Sequence, residues 1–397
     1  MTALYAPERF EPLTETPWKA TRVADEIRAI AAVAEHAFDE NDLWPAGEWE
    51  RYQNVVPLKS LYVGAAGVVW GLYALRGRGL AEGTLDLARA IERTHEEWLR
   101  EPDLMSDTEL PSTAEAALLT GESGILTTAW LVEPSSARAD LLHARVRANE
   151  DNEASEVMWG APGTMLAAAE LYRRTGDERW ADAWRASARS LLASRGDDGI
   201  WPNLLYGELC LSLTPPHGVV GNVHALLHGG ELLDARERER LTRETNDLLR
   251  RHAVVVHGLV NWPTRADGDL VGADGEIRVQ WCGGAPGIVL AAAPYLDDDL
   301  LLGGAELVWR AGAHNAWKGP GICHGTAGNG YALLRTFERT GDERWLDRAR
   351  RFAVHALEQV SRREPRYSLF TGDIGAALYA ADCLEACARY PILDTWS

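Results

Sequence analysis

Seven copies of Gly-x-x-Gly, each leading into an apolar run, constrain this chain more than any other feature. They are VGAAGVVWGLYAL (Gly64/Gly67), TGESGILTTAWLV (Gly121/Gly124), WGAPGTMLAAAEL (Gly160/Gly163), HGVVGNVHALLHG (Gly218/Gly221), GGAPGIVLAAAPY (Gly284/Gly287), HGTAGNGYALLRT (Gly325/Gly328) and TGDIGAALYAADC (Gly372/Gly375). Successive first glycines stand 57, 39, 58, 66, 41 and 47 residues apart, and each interval has room for two helices and their loops. The third and sixth copies continue into one shared heptapeptide, RTGDERW, at a constant offset of 165 residues. It reads as a helix–turn–helix connection in which Gly176 or Gly341 ends one helix in the left-handed conformation and Asp177 or Asp342 caps the next.

The helix after each motif is apolar on all sides, whereas intervening stretches such as DERWLDRARRFAVHALEQV carry charge on one side. All-apolar helices belong inside and amphipathic ones outside. Seven of each could stack as an open solenoid or close into a ring, and the lack of a polar capping repeat favours closure. Residues 1–57 hold one amphipathic stretch, RVADEIRAIAAVAEHAF, with Val23, Ile27, Ile30, Ala34 and Phe38 on one side; it predicts an outer helix for the first repeat. No Pro-, Gly- or Ser-rich linker divides the chain, so residues 1–397 read as a single all-α domain with 1–57 as its N-terminal outer helix and extension. Two long irregular segments lead into the fourth and fifth repeats, and loops of that length in a compact helical domain border a binding site. Function is expected at the end of the assembly where the glycine motifs lie.

With 40 Lys and Arg against 59 Asp and Glu, the net charge of −19 repels phosphate backbones and anionic lipid, which argues against nucleic-acid and membrane partners. The N-terminal stretch lacks a basic segment followed by an apolar run, and no segment reaches membrane-spanning length, so a cytoplasmic location is expected. Five cysteines, an odd number, argue against a disulfide framework. Cys383 and Cys387, four apart on a helix, read as core residues.

Cys323 and His324 are neighbours, and on a regular helix their side chains would diverge by about 100°. They instead precede a helix start, where consecutive side chains can converge. Cys282 stands two residues before Gly284, as Cys323 does before Gly325, so adjacent repeats would bring both thiols to one end of the assembly. Two thiolates and an imidazole suit zinc, and three chain ligands leave a fourth position open, the mark of a catalytic site. Such a site binds an incoming thiol as thiolate. Addition of that thiolate to an electron-poor alkene leaves an enolate that needs a proton, and His217, one residue before Gly218, is the expected acid. His224 and His228 are also four apart on a helix, but nothing nearby completes a ligand set.

In their order, the motifs HGVVG, WCGGAPG and GICHGTAGN, followed by SLFTGDIG, resemble the lanthionine synthetase C-like family from about Leu61 to Leu384. The resemblance implies an (α/α)7 toroid with zinc held by Cys282, Cys323 and His324 and with His217 as the active-site histidine. It also implies a reaction: cyclases of the family add peptide cysteines to dehydroalanine or dehydrobutyrine, forming lanthionine rings, and stand-alone members add glutathione to dehydroamino acids in proteins. Glu156, Lys318 and the glycine at Gly283 match the stand-alone branch, whereas Arg278 resembles an active-site arginine of the cyclases. Read without the family, Glu156, Lys318 and Arg278 are ordinary solvated charges. Within the cleft, the two cations would steer a carboxylate-bearing thiol or stabilise the enolate.

The expected partners are a dehydrated peptide or protein, glutathione, and a dehydratase or kinase-type modifying enzyme that supplies the electrophile. Two rival readings stand beside this one. A toroidal glycosidase or epimerase would place paired carboxylates at the rim. A non-catalytic scaffold stapled by zinc would close the metal with a fourth chain ligand.

Overall fold

The computed structural model describes residues 3–51, 55–105 and 109–396, so residues 1, 2 and 52–54 of the N-terminal extension lie outside the described residues. Seven inner helices begin at the seven motifs: α2 (Ala65–Gly77), α4 (Glu122–Val132), α6 (Ala161–Thr175), α8 (Val219–His228), α10 (Ala285–Ala292), α12 (Thr326–Thr340) and α14 (Asp373–Glu385). Seven outer helices alternate with them: α1 (Ala20–His36), α3 (Leu87–Arg100), α5 (Ser136–Ala148), α7 (Glu178–Ala193), α9 (Ala235–His252), α11 (Asp298–Ala311) and α13 (Glu343–Ser361). Each inner helix packs against the next, and α14 packs against α2, so the inner set is a closed ring. Among the described residues the strands are short: β1 (Phe10–Glu11) pairs with β6 (Ala313–His314), and β2 (Asn203–Leu205) with β3 (Glu208–Cys210) and β4 (Val254–Val256) with β5 (Leu259–Asn261) form hairpins. The fold is an (α/α)7 toroid.

The apolar character of the inner helices follows from their position: all eight residues of α10 are buried. The outer helix α9 buries one stripe, Leu241, Thr245, Leu248 and Leu249, and turns its charges to solvent. Helix α1 seals the seam between α14 and α2, burying Val23, Ile27, Ala31 and Ala34. Ile30 is only half-buried, and Phe38 lies beyond the helix, its ring 4.9 Å from that of Trp44. The RTGDERW turns form as the sequence predicts. Gly176 (φ 66°) and Gly341 (φ 68°) end α6 and α12, and Asp177 and Asp342 accept the backbone N–H groups of Arg179 (3.1 Å) and Arg344 (3.0 Å). Nothing lies within 4 Å of a Cβ built on Gly176. Gly176→Ala is therefore expected to cost only the left-handed strain, roughly 1–2 kcal/mol, measurable by urea unfolding.

The second glycine of every motif is required for a different reason. In all seven repeats its Cα faces the carbonyl six residues earlier, where an added Cβ would meet the oxygen of Leu61, Leu118, Val157, Pro215, Trp281, Ile322 or Leu369 at 1.8–2.3 Å. Only glycine lets the incoming chain fold back so tightly over the helix start. The fold-back aligns the residues five before each second glycine: Tyr62, Leu119, Met158, Pro216, Cys282, Cys323 and Phe370. Backbone hydrogen bonds link most of them into a belt around the ring, with Tyr62 N–H donating to Leu119 O (2.8 Å), Met158 to Pro216 (3.2 Å), Cys282 to Cys323 (3.4 Å), Cys323 to Phe370 (2.9 Å) and Phe370 to Tyr62 (3.2 Å). Gly328→Ala would drive a methyl to 2.0 Å from Ile322 O and displace the turn that carries Cys323 and His324. Loss of metal binding is expected, unlike the purely thermodynamic cost at Gly176.

After α14 the chain returns into the ring. Tyr390 donates to Ile322 O (3.0 Å) and stacks on Trp281 with centroids 5.0 Å apart, His224 Nε2 lies 3.1 Å from Leu393 O, and Arg174 reaches Trp396 O at 3.3 Å. The lumen is thus filled, and Tyr390, Trp281 and Phe370 form an aromatic floor beneath the belt.

Candidate active site and metal centre

The belt brings Cys282 and Cys323 together, and the Gly325 start of α12 turns His324 toward them. The three donor atoms lie within 4.8 Å of one another, and among the described residues no other group of three or more His, Cys, Asp or Glu side chains gathers in this way. Cys282 Sγ is 3.1 Å from His324 Nδ1, while His324 Nε2 is buried with no partner from the chain. Around a tetrahedral zinc with bonds of about 2.0–2.3 Å, ligand atoms sit about 3.5 Å apart. Two sulfurs and an imidazole at this spacing fit that ion. No fourth donor of these residue types joins the cluster among the described residues.

Both sulfurs receive a hydrogen bond. Gln280 Nε2 donates to Cys282 Sγ (2.9 Å) and the Tyr62 hydroxyl to Cys323 Sγ (3.0 Å). The Cys282 thiol is pulled well below its ordinary range, first by its hydrogen bond with Cys323 and then by His324, whereas burial and the Cys282 thiolate push Cys323 up. The pair therefore shares one negative charge readily and a second only with cationic help.

His217 stands on the facing wall, at the start of α8. Its Nδ1 is 2.7 Å from Glu156 Oε2, and Glu156 is fully buried, accepting as well from the backbone N–H groups of Met158 (3.1 Å) and Trp159 (2.5 Å). Two turns from adjacent repeats thereby present one imidazole, and no chain partner meets Nε2 among the described residues. The Tyr206 ring at the tip of the β2–β3 hairpin packs edge-on to His217 with centroids 6.4 Å apart.

The two walls enclose a cleft of about 710 Å³ lined by His217, Cys282, Cys323, His324, Tyr62 and Arg278. Arg278 is held by Asp274 (2.5 Å), whose carboxyl it depresses to about 2. A second basin of about 300 Å³ runs from His217 to His324 past Trp49, Glu50, Tyr62 and Asp103, and a third of about 390 Å³ places Lys318 and Arg366 on the far side of His324. The half-exposed Trp49 indole, edge-on to His324 at 5.4 Å, borders both basins. Its segment is anchored by Glu50, which accepts from the hydroxyls of Ser368 and Thr371 and from Gly47 N–H. Six of the seven residues singled out from the sequence thus line basins that share His324, and Glu156 stands behind His217. Tyr62, Trp49 and Glu50, which line the same basins, and Gln280, which donates to Cys282, were not anticipated.

The other histidine and cysteine pairs lie elsewhere. His224 and His228 stack at 6.2 Å beside Leu393 and Asp394 but form no three-residue ligand cluster among the described residues, and Cys383 is buried in α14 beside Tyr379.

A family model described as lanthionine synthetase C-like protein matches residues 56–392. Glutathione S-transferase LANCL1 of Danio rerio is 33% identical over 149 residues, covering 34% of this chain and 36% of that protein. LanC-like protein GCL1 of Arabidopsis thaliana is 34% identical over 113 residues, covering 24% of this chain and 25% of that protein. The matched regions thus span about a third and a quarter of those relatives. The solved structure of nisin cyclase superposes over 94% of this chain and 98% of its own with a TM-score of 0.62 at 15% identity, the same toroidal fold. With the family model covering most of its length, the chain belongs to the lanthionine synthetase C-like family.

Proposed function

We propose that this protein, acting as one toroidal domain, joins a thiol to a dehydroalanine or dehydrobutyrine residue of a peptide or protein. The observation that carries the reading is the placement of the Glu156-supported His217 in the same cleft as the Cys282–Cys323–His324 cluster. Cys282, Cys323 and His324 are the residues that would hold zinc. When bound, zinc supplies the Lewis acidity that keeps a guest thiol as thiolate near neutral pH. A bond forms from that sulfur to the alkene β-carbon, and the π pair moves onto the adjoining carbonyl as an enolate. His217, oriented through Nδ1 by Glu156, delivers the proton from Nε2 to the α-carbon. Arg278, fixed by Asp274 in the cleft wall, stabilises the enolate charge.

The thiol we infer is a carboxylate-bearing one of the glutathione type. Lys318 and Arg366 line the basin beside His324 and would receive its carboxylates. A side chain at Gly283 would also meet Thr264 Cγ2 at 2.9 Å and Arg278 Cδ at 3.0 Å, so the tyrosine of the cyclase branch would fit there only with those two side chains displaced. Glu156 is engaged by His217 and two amides, and Glu50 by two hydroxyls and an amide, which does not favour these two carboxylates as the acid and base of the carbohydrate reading. No described helix is long and apolar enough to cross a membrane. The test offers zinc-loaded protein a dehydrated peptide that has its own cysteine, together with glutathione, and follows the products by mass spectrometry. The glutathione adduct is expected. A thioether ring without added glutathione would place the chain with the cyclases, and no thioether at all would overturn the reading.

A further inference from the structure

Three sulfurs would surround one cation during the proposed reaction, all within reach of the same electrophile, and only the guest's should react. Alkylation of Cys282 or Cys323 would destroy the site. Each of the two chain sulfurs already accepts a hydrogen bond from a dedicated donor.

We propose that Tyr62 and Gln280 act as positioning residues that hold Cys323 and Cys282 as unreactive ligands, so that the guest sulfur alone attacks; the inference rests on the zinc-site reading above. A hydrogen bond engages a sulfur lone pair and withdraws charge from it, lowering its nucleophilicity. Tyr62 is well placed for this. Its backbone is tied on both sides, to Leu119 O (2.8 Å) and from Phe370 N–H (3.2 Å), its ring packs on Phe370 at 4.9 Å, and its hydroxyl ends 3.0 Å from Cys323 Sγ. Gln280 is fixed by reciprocal backbone hydrogen bonds with Gly283, 2.9 and 3.0 Å, in the tight turn that contains Cys282, and its amide reaches Cys282 Sγ at 2.9 Å. The donors come from opposite sides, one from the first repeat and one from the turn preceding the fifth inner helix. Neither sulfur shares its donor with the other.

The division of labour gives a signature that loss of packing would not. Zinc-loaded wild type, Tyr62→Phe and Gln280→Met are treated with excess iodoacetamide, which forms a sulfur–carbon bond with departure of iodide, and the modified cysteines are mapped by mass spectrometry. Tyr62→Phe is expected to speed alkylation of Cys323 by about tenfold and leave Cys282 unchanged; Gln280→Met does the reverse. In the cobalt-substituted proteins, the thiolate-to-cobalt charge-transfer band is expected at lower energy in each variant than in wild type. Rates and bands unchanged from wild type, or equal acceleration at both cysteines in either variant, would overturn the inference. A wild type that binds cobalt without any thiolate charge-transfer band would instead overturn the zinc-site reading, and this inference with it.

Discussion

Cys282→Ala and Cys323→Ala are each expected to reduce bound zinc from about one ion per chain to a trace, with thiol addition falling alongside. The magnitude follows from the small number of ligands. With three chain donors within 4.8 Å, removing one leaves a thiolate and an imidazole, and a two-ligand site is expected to lose at least ~100-fold in affinity. Metal analysis after dialysis against a weak chelator measures this directly. Cys383→Ala is the control: that thiol is buried in α14, and its own ordinary value is pushed up by burial, so the variant keeps its zinc while losing some stability. Full zinc content in both ligand variants would remove the basis of the proposed chemistry.

His217→Ala is the second variant with a large expected effect, and the expected metal outcome is the opposite one. Its imidazole hydrogen-bonds Glu156, not the cysteines, so zinc is expected to stay at about one per chain while the rate of addition to a dehydroalanine peptide is expected to drop by about 10²–10⁴-fold. Glu156→Gln should fall between wild type and His217→Ala. An amide can still accept from Met158 or Trp159 N–H, but it no longer provides the buried anion that orients Nδ1. A zinc-replete His217→Ala protein that turns over at the wild-type rate would remove His217 from the reaction.

The ring and the Cys282–Cys323–His324 cluster were legible in the sequence because one local constraint writes both. The second glycine of each motif is dictated by a carbonyl lying where its Cβ would be, and the residues five before it are carried along in fixed phase. Cys282 and Cys323 share that phase, which is why their spacing from the glycines sufficed. Ring closure was harder to read, because it depends on α14 meeting α2 and α1 covering the joint, contacts between residues hundreds of positions apart. Tyr62 has the same phase as the two cysteines, five before Gly67, and that was an available signal; its partner, however, is 261 residues away. Gln280, Trp49 and Glu50 carry no such periodic mark. Arg278 and Lys318 read as solvated charges by residue type alone, and only the loops that seat them in the recess show otherwise.

The belt also sets an order of events during synthesis. Cys323 N–H finds its acceptor on Phe370, and Phe370 N–H finds its own on Tyr62, so along the belt the backbones of the first and sixth repeats are linked through the seventh. A nascent chain still lacking that last hairpin leaves apolar helix faces uncovered and the cysteine-bearing turns untied. Truncation inside the final repeat is therefore expected to yield insoluble polypeptide in place of a smaller working protein.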